Sequence, residues 1–233
     1  MIVLQNKEFI GRGKIKVRKK VRNIIIAGVL FCIAAISGYI YKKNSMLKEL
    51  PVYESTAMYP KLTLPQLADK ASYIVNAKVI NVGDTINNEV PVSLTGNPDD
   101  IAETLYTPVT PVTLEIISKL KGQINTDKIT YYEDGGITPS YVQLPDGYTM
   151  EEGMEVIIFL NDAGHCWGAQ SIFPVAGNSV ILNNTALEYV DSKDISVINK
   201  DNIKQDIRNQ IDSDKVKVTD KEKFISDISL LID

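Results

Sequence analysis

Reactive side chains are scarce in this 233-residue chain: it has one histidine, one tryptophan and two cysteines. With His165 as the sole imidazole and Cys166 as the sole thiol in the C-terminal four-fifths, no zinc ligand set at the usual spacing can be assembled. The same scarcity leaves a serine hydrolase without a nucleophile elbow and with one histidine to serve it. Cys32 lies in an apolar run and Cys166 stands alone beyond it, so no intramolecular disulfide can staple the main domain. Its stability must come from a core of its own, for which about 170 residues suffice.

Charge is the second absence. Residues 23–41 (NIIIAGVLFCIAAISGYIY) carry none at all. Residues 44–233 lack a basic surplus, holding fifteen Lys or Arg against twenty-eight acids, net −13. Nucleic-acid binding needs a basic stripe to neutralise phosphates, so that class is excluded for this part. Residues 1–43 are the opposite, with ten Lys or Arg, one acid (Glu8) and a net of +9. That arm is explained by topology and by attraction to anionic headgroups.

An uncharged apolar run of this length reads as a membrane helix. From Ile24 to Tyr41 it would extend about 27 Å at about 1.5 Å per residue, close to a hydrocarbon thickness of about 30 Å. Lys7, Arg12, Lys14, Lys16, Arg18, Lys19, Lys20 and Arg22 precede it, and only Lys42 and Lys43 follow at once. The more basic flank stays cytoplasmic, so the C-terminal part is expected outside the cell membrane, single-pass. Cleavage after a signal peptide is the rival reading, with Ala35-Ile36-Ser37 as the small-x-small site. Against it stand the long basic segment and the run that continues to Tyr41. Lipidation at Cys32 would need a small residue where Phe31 stands.

Along the exported part, residues 42–62 read as a juxtamembrane stalk. Thr63-Leu64-Pro65-Gln66 carries a capping box for a helix to about Ala71. Tyr73–Val82 is the first strand, followed by a long polar connection over 83–106. Thr107–Leu120 is extended, with Pro108 and Pro111 marking an edge or bulge and Val112, Leu114 and Ile116 alternating as a half-buried strand. Lys128–Glu133 is a third strand and Asp134–Gly153 a second polar loop. Glu155–Leu160 (EVIIFL) is apolar nearly throughout, which predicts the central strand. Asn161–Gly164 turns into Trp167–Val175, and Ser179–Leu182 follows. Ile203, Ile207 and Ile211, then Phe224, Ile228, Leu231 and Ile232 after Thr219…Glu222, predict two amphipathic helices. No useful internal repeat is present.

Three segments together carry a resemblance. They are Ala68-Asp69…Tyr73-Ile74-Val75-Asn76-Ala77-Lys78-Val79, Leu114-Glu115-Ile116…Leu120-Lys121-Gly122, and Gly153…Glu155-Val156-Ile157-Ile158-Phe159-Leu160. Residues 63–183 resemble the netrin/TIMP-like variety of the OB-fold barrel and, more closely, uncharacterised exported domains of Gram-positive bacteria. The resemblance implies a ligand face between the barrel loops; its motifs are structural and speak little to activity. Tissue inhibitors of metalloproteinases reach the protease metal through an N-terminal cysteine; the stretch 42–62 before Thr63 has none, so no inhibitory residue carries over.

The expected class is therefore mainly β with added α. Residues 1–22 would be a basic cytoplasmic arm, 23–41 a transmembrane helix and 42–62 the stalk. Residues 63–190 would form an OB-like β-barrel and 191–233 a C-terminal helical segment. His165-Cys166 is the one tempting nucleophile–base pair, but neighbours on an extended strand point to opposite faces; a turn histidine and a buried thiol beside Trp167 is the simpler reading. Asp99-Asp100, Asp191/Asp194 and Asp212/Asp214 follow no calcium-loop pattern, and Glu151-Glu152 reads as a turn. Of Tyr131 and Tyr132, one ring should face in and one out. No catalytic, cofactor or metal residue is assigned. The function expected is a membrane-anchored binding or scaffolding module for a protein or glycan at the cell surface, acting through the 83–106 and 134–152 loops. The alternatives are an exported thiol-dependent enzyme or redox protein using Cys166, and a protease inhibitor-like barrel.

Overall fold

The computed structural model describes residues 37, 50–55, 59–93 and 101–232. The expected membrane span lies outside them except for Ser37, and so does the basic arm. Among the described residues no helix is long and apolar enough to cross a membrane. The chain divides into two units, Met1–Leu50 and Pro51–Asp233, and every described strand belongs to the second.

These strands are β1 (Val52–Glu54), β2 (Tyr73–Val82), β3 (Ile86–Ser93), β4 (Ile101–Lys121), β5 (Lys128–Asp134), β6 (Gly136–Ile137), β7 (Val142–Leu144), β8 (Glu155–Leu160), β9 (Ile172–Ala176), β10 (Ser179–Ile181), β11 (Ser196–Asn199) and β12 (Lys215–Asp220). Four α-helices accompany them among the described residues: α1 (Leu64–Lys70), α2 (Asn184–Leu187), α3 (Gln205–Arg208) and α4 (Lys221–Ser229). The domain is mainly β with added α. Nine strands form one sheet in the order β11-β12-β10-β9-β8-β2-β4-β3, with β5 also on β4; β1, β7 and β6 form a small second sheet.

The large sheet buries both faces. On β2, Val75, Ala77 and Val79 point into one core, where Val156, Ile158 and Leu160 of β8 join them. Ile74 of β2 and Ile157 and Phe159 of β8 point into the other, beneath α1, α2 and α4. A strand buried on both sides must be apolar at nearly every position, which is why EVIIFL reads as it does. The first core is enclosed by the sheet itself, with Val112 and Leu114 of β4, Tyr131 of β5, and Val216 and Val218 of β12 around it. Bulges in β2–β4 pairing increase the local bend that such curling needs.

This corrects the expected closed barrel. Among the described residues β11 pairs only with β12, and β3 and β5 pair only with β4, so the sheet curls around a core but leaves a seam. Two further differences have causes in local chemistry. The segment 83–106 holds β3 and the start of β4, a two-stranded ribbon in register from Ile86↔Val109 to Val92↔Glu103, with a shift before Ser93↔Ile101. Its Asn, Glu and Pro content resembles a loop because its described residues from 86 to 106 belong to neither core. The segment 191–233 supplies β11 and β12 as well as α3 and α4. KVKVTD alternates with period two and buries Val216 and Val218, so it builds sheet between the two helices. The second of those helices starts at Asp220, whose carboxylate accepts from the Lys223 N–H at 3.0 Å, rather than at Thr219, which is buried in β12. Nor is the stalk free beyond Leu50: β1 pairs in parallel with β7, and the Gln170 side chain bridges Pro60 O and Leu62 N at 3.0 and 2.9 Å.

Candidate functional site

The end of β5 gathers the domain's most perturbed ionisable groups. Alternation along TYYED sends Tyr131 and Glu133 inward, each 2% exposed, and leaves Tyr132 and Asp134 half-buried. Burial raises the Glu133 carboxyl to about 7; the Met150 N–H, donating to Oε2 at 2.7 Å, partly offsets this, and nearby Asp134 adds to it. Glu133 therefore holds a proton over much of the range below neutrality.

Tyr59 comes from the segment between β1 and α1 and donates its phenol proton to Asp134 Oδ2. Burial, then that hydrogen bond, push its pKa well up. The close fit depends on Gly168, whose φ is +64°: a Cβ there would fall 2.1 Å from Asp146 Oδ2 and 2.8 Å from the Tyr59 ring. Gly136 is equally constrained at φ +136°, where a Cβ would meet the Thr85 and Thr110 hydroxyls at 2.2 and 2.3 Å. Those two hydroxyls lie 3.1 Å apart, and Thr110 donates to Gly135 O at 2.9 Å.

His165 and Cys166 are carried to opposite sides of β5. The imidazole stacks on Tyr132, with centroids 5.4 Å apart and planes 28° from parallel. The Cys166 thiol is directed at Tyr131 Oη, 3.5 Å away, and lies 3.9 Å from Gly168 O. Cys166 is half-buried as a residue, but its sulfur lies against a buried phenol. Burial pushes the thiol up to about 11 even though hydrogen bonds from its surroundings pull the other way. Burial first, then Cys166 and Glu133, raises the Tyr131 phenol.

These groups hold their protons and are turned onto protein partners. A buried carboxyl titrating near neutrality is a general acid–base candidate wherever it faces a cleft. An open groove on the domain lies elsewhere, between Tyr73, Asn125, Lys128 and Asp162. The cluster consequently ties the 59–62 segment and the Gly168 turn to the end of β5. Sequence reading missed Glu133 and Tyr59 because nothing in a strand's alternation distinguishes a buried carboxyl from an exposed one. The available signal was the Gly135-Gly136 pair directly after two acids.

The remaining candidates are separate. Asp191 accepts from the Lys193 N–H at 3.1 Å, and Asp194 pairs with Lys223 at 3.6 Å. Glu151 and Glu152 are exposed and begin the turn closed by the Met154 N–H on Glu151 O at 3.1 Å. Asp99 and Asp100 lie outside the described residues. Among the described residues no three His, Cys, Asp or Glu side chains are placed to hold one metal ion. No protein-family model, curated protein or solved structure matches this chain.

Proposed function

We propose that this chain is a single-pass membrane protein with a cytoplasmic N-terminus, whose extracytoplasmic β domain binds or scaffolds a protein or glycan without catalysing a reaction. The β3–β4 ribbon carries the reading. Ile86, Val90, Leu105 and Tyr106 are 49, 37, 46 and 61% exposed, and no described residue between 86 and 106 belongs to either core. A stretch of ribbon whose described residues from 86 to 106 contribute nothing to the cores, yet present apolar and aromatic side chains, suits recognition, for which tyrosine is well matched. In this reading the curled sheet is a netrin/TIMP-like OB relative left open at one seam, with the ribbon extending one of its edges.

No observation favours the thiol-dependent alternative, since a thiol raised to about 11 is almost entirely protonated near neutral pH. The inhibitor reading has no cysteine in the stretch leading to Thr63 to act with. A photo-reactive amino acid at position 106 in intact cells tests the proposal, with position 189, 38% exposed just after α2, as the comparison. The expected result is one reproducible adduct at 106 that disappears with Leu105→Asp. Equal labelling at both positions, or none at 106, would count against a ribbon-borne binding site.

A further inference from the structure

The small β1–β7–β6 sheet has an outward face on which three aliphatic side chains are more than a third exposed. A Cβ on Gly136 would fall 2.2 and 2.3 Å from the Thr85 and Thr110 hydroxyls, so that side of β6 faces the domain body, and the Ile137 N–H donates to Thr85 Oγ1 at 2.9 Å. Side chains alternate along a strand, so Ile137, next to Gly136, turns away from the domain body. Val142 lies opposite Ile137, and Val52 opposite Val142; Leu144, two residues on, shares their face. Val52, Ile137 and Leu144 are 59, 51 and 39% exposed. One carboxylate, Glu54, sits opposite Leu144 at the margin; Tyr53 alternates to the other side of β1, and its ring meets that of Tyr141 edge to face at 5.7 Å.

The position of this face along the chain indicates what covers it. β1 begins at Val52, eleven residues after Tyr41 closes the uncharged run. Even fully extended, that tether spans at most about 40 Å. The face is therefore leashed close to whatever surface residues 23–41 enter. Its chemistry, branched aliphatics with a single carboxylate at the margin, suits an apolar face lying shallowly at the headgroup–acyl boundary of a bilayer. Glu54 and the domain's net charge of −13 remove any attraction to anionic headgroups, which selects a neutral surface.

We propose that the outward face of the β1–β7–β6 sheet, led by Val52, Ile137 and Leu144, rests on the headgroup zone of a zwitterionic bilayer beside the anchor. This rests on the anchored reading of residues 23–41. The test uses the full chain in phosphatidylcholine liposomes doped with a phospholipid bearing a diazirine near the headgroup end of its acyl chain. After illumination, adducts are mapped by mass spectrometry. The expected pattern is labelling within 23–41 and, separately, on peptides carrying residues 52, 137 and 144. Val52→Asp with Ile137→Asp should lower the second set at least about fivefold and leave the first unchanged. Both positions are more than half exposed, and labelling of the unsubstituted chain is decisive even if that variant folds poorly. Adducts confined to 23–41 keep the anchor and overturn the docking face. A 137–137 link between two copies in place of lipid adducts overturns it in favour of self-association. Labelling in neither region removes the anchored reading as well.

Discussion

Glu133 is the residue whose position costs the fold most clearly. Its carboxyl titrates near 7 in the folded domain against 4.5 when exposed. Between those values the folded state binds more protons than the unfolded one, so stability falls as pH rises from about 4.5 to 7 and is level above. The difference is worth about 3 kcal/mol. Glu133→Gln keeps an acceptor for the Met150 N–H but cannot ionise. Urea midpoints measured from pH 4.5 to 8 should decline for the parent chain and lose about that much of the slope in the variant; parallel curves would refute a buried proton at this site. Cys166 gives a second residue-scale expectation. At about 11, against 9 for an unperturbed thiol, its thiolate is about a hundredfold scarcer. In a Cys32→Ala background, a thiol-specific disulfide reagent at pH 8 should react at least that much more slowly with folded than with urea-unfolded chain. A fast native reaction would reopen thiol chemistry. Sequence placed His165 and Cys166 apart correctly, since neighbouring residues diverge. It could not show that Tyr131 would meet the sulfur, because that contact joins residues 35 apart in the chain.

The elements most legible in the sequence were those specified by contacts close along the chain. Thr63 Oγ1 accepts from the Gln66 N–H at 3.4 Å, and Gln66 Oε1 accepts from the Thr63 N–H at 2.9 Å, the reciprocal pair that the four-residue motif announces. Thr63→Ala should cost about 1 kcal/mol in urea unfolding, a small loss because one of the two bonds is long. Phe224→Ala should cost more, about 3–5 kcal/mol. Phe224 is fully buried where α4 meets the sheet, its ring 5.1 Å from that of Phe173. If both changes cost the same, the helices are held by their ends and not by the second core. β2 and β8 were equally legible because burial on both faces leaves a continuous apolar run. β3 and β12 were not. β3 is exposed and reads as a polar connection, while β12 is six residues between two helical patterns and gains its place only by pairing with β10 and β11. β1, β6 and β7 are too short for any periodicity to declare.

At the scale of the whole molecule, the proposed orientation rests on a charge asymmetry that no local structure supplies. Eight Lys or Arg precede the uncharged run and two follow it at once, a bias that in the proposed anchor would hold the N-terminal flank in the cytoplasm. In that orientation the far side would receive a domain with net −13, two cores and no disulfide. Its stability comes from burial, not cross-links, so it should survive strong reductant unchanged. The orientation is tested with different tags on the two termini in wall-stripped cells. Added proteinase should remove the C-terminal tag and spare the N-terminal one until the membrane is permeabilised. A protected C-terminus would reverse the orientation and with it the surface role of the ribbon. Loss of both tags before permeabilisation would place the basic arm outside, where eight cations would have crossed against the bias. Release of the whole domain into the medium without proteinase would instead favour cleavage near Ala35-Ile36-Ser37. The β domain would then have no leash, and its outward sheet face would no longer be held near a bilayer.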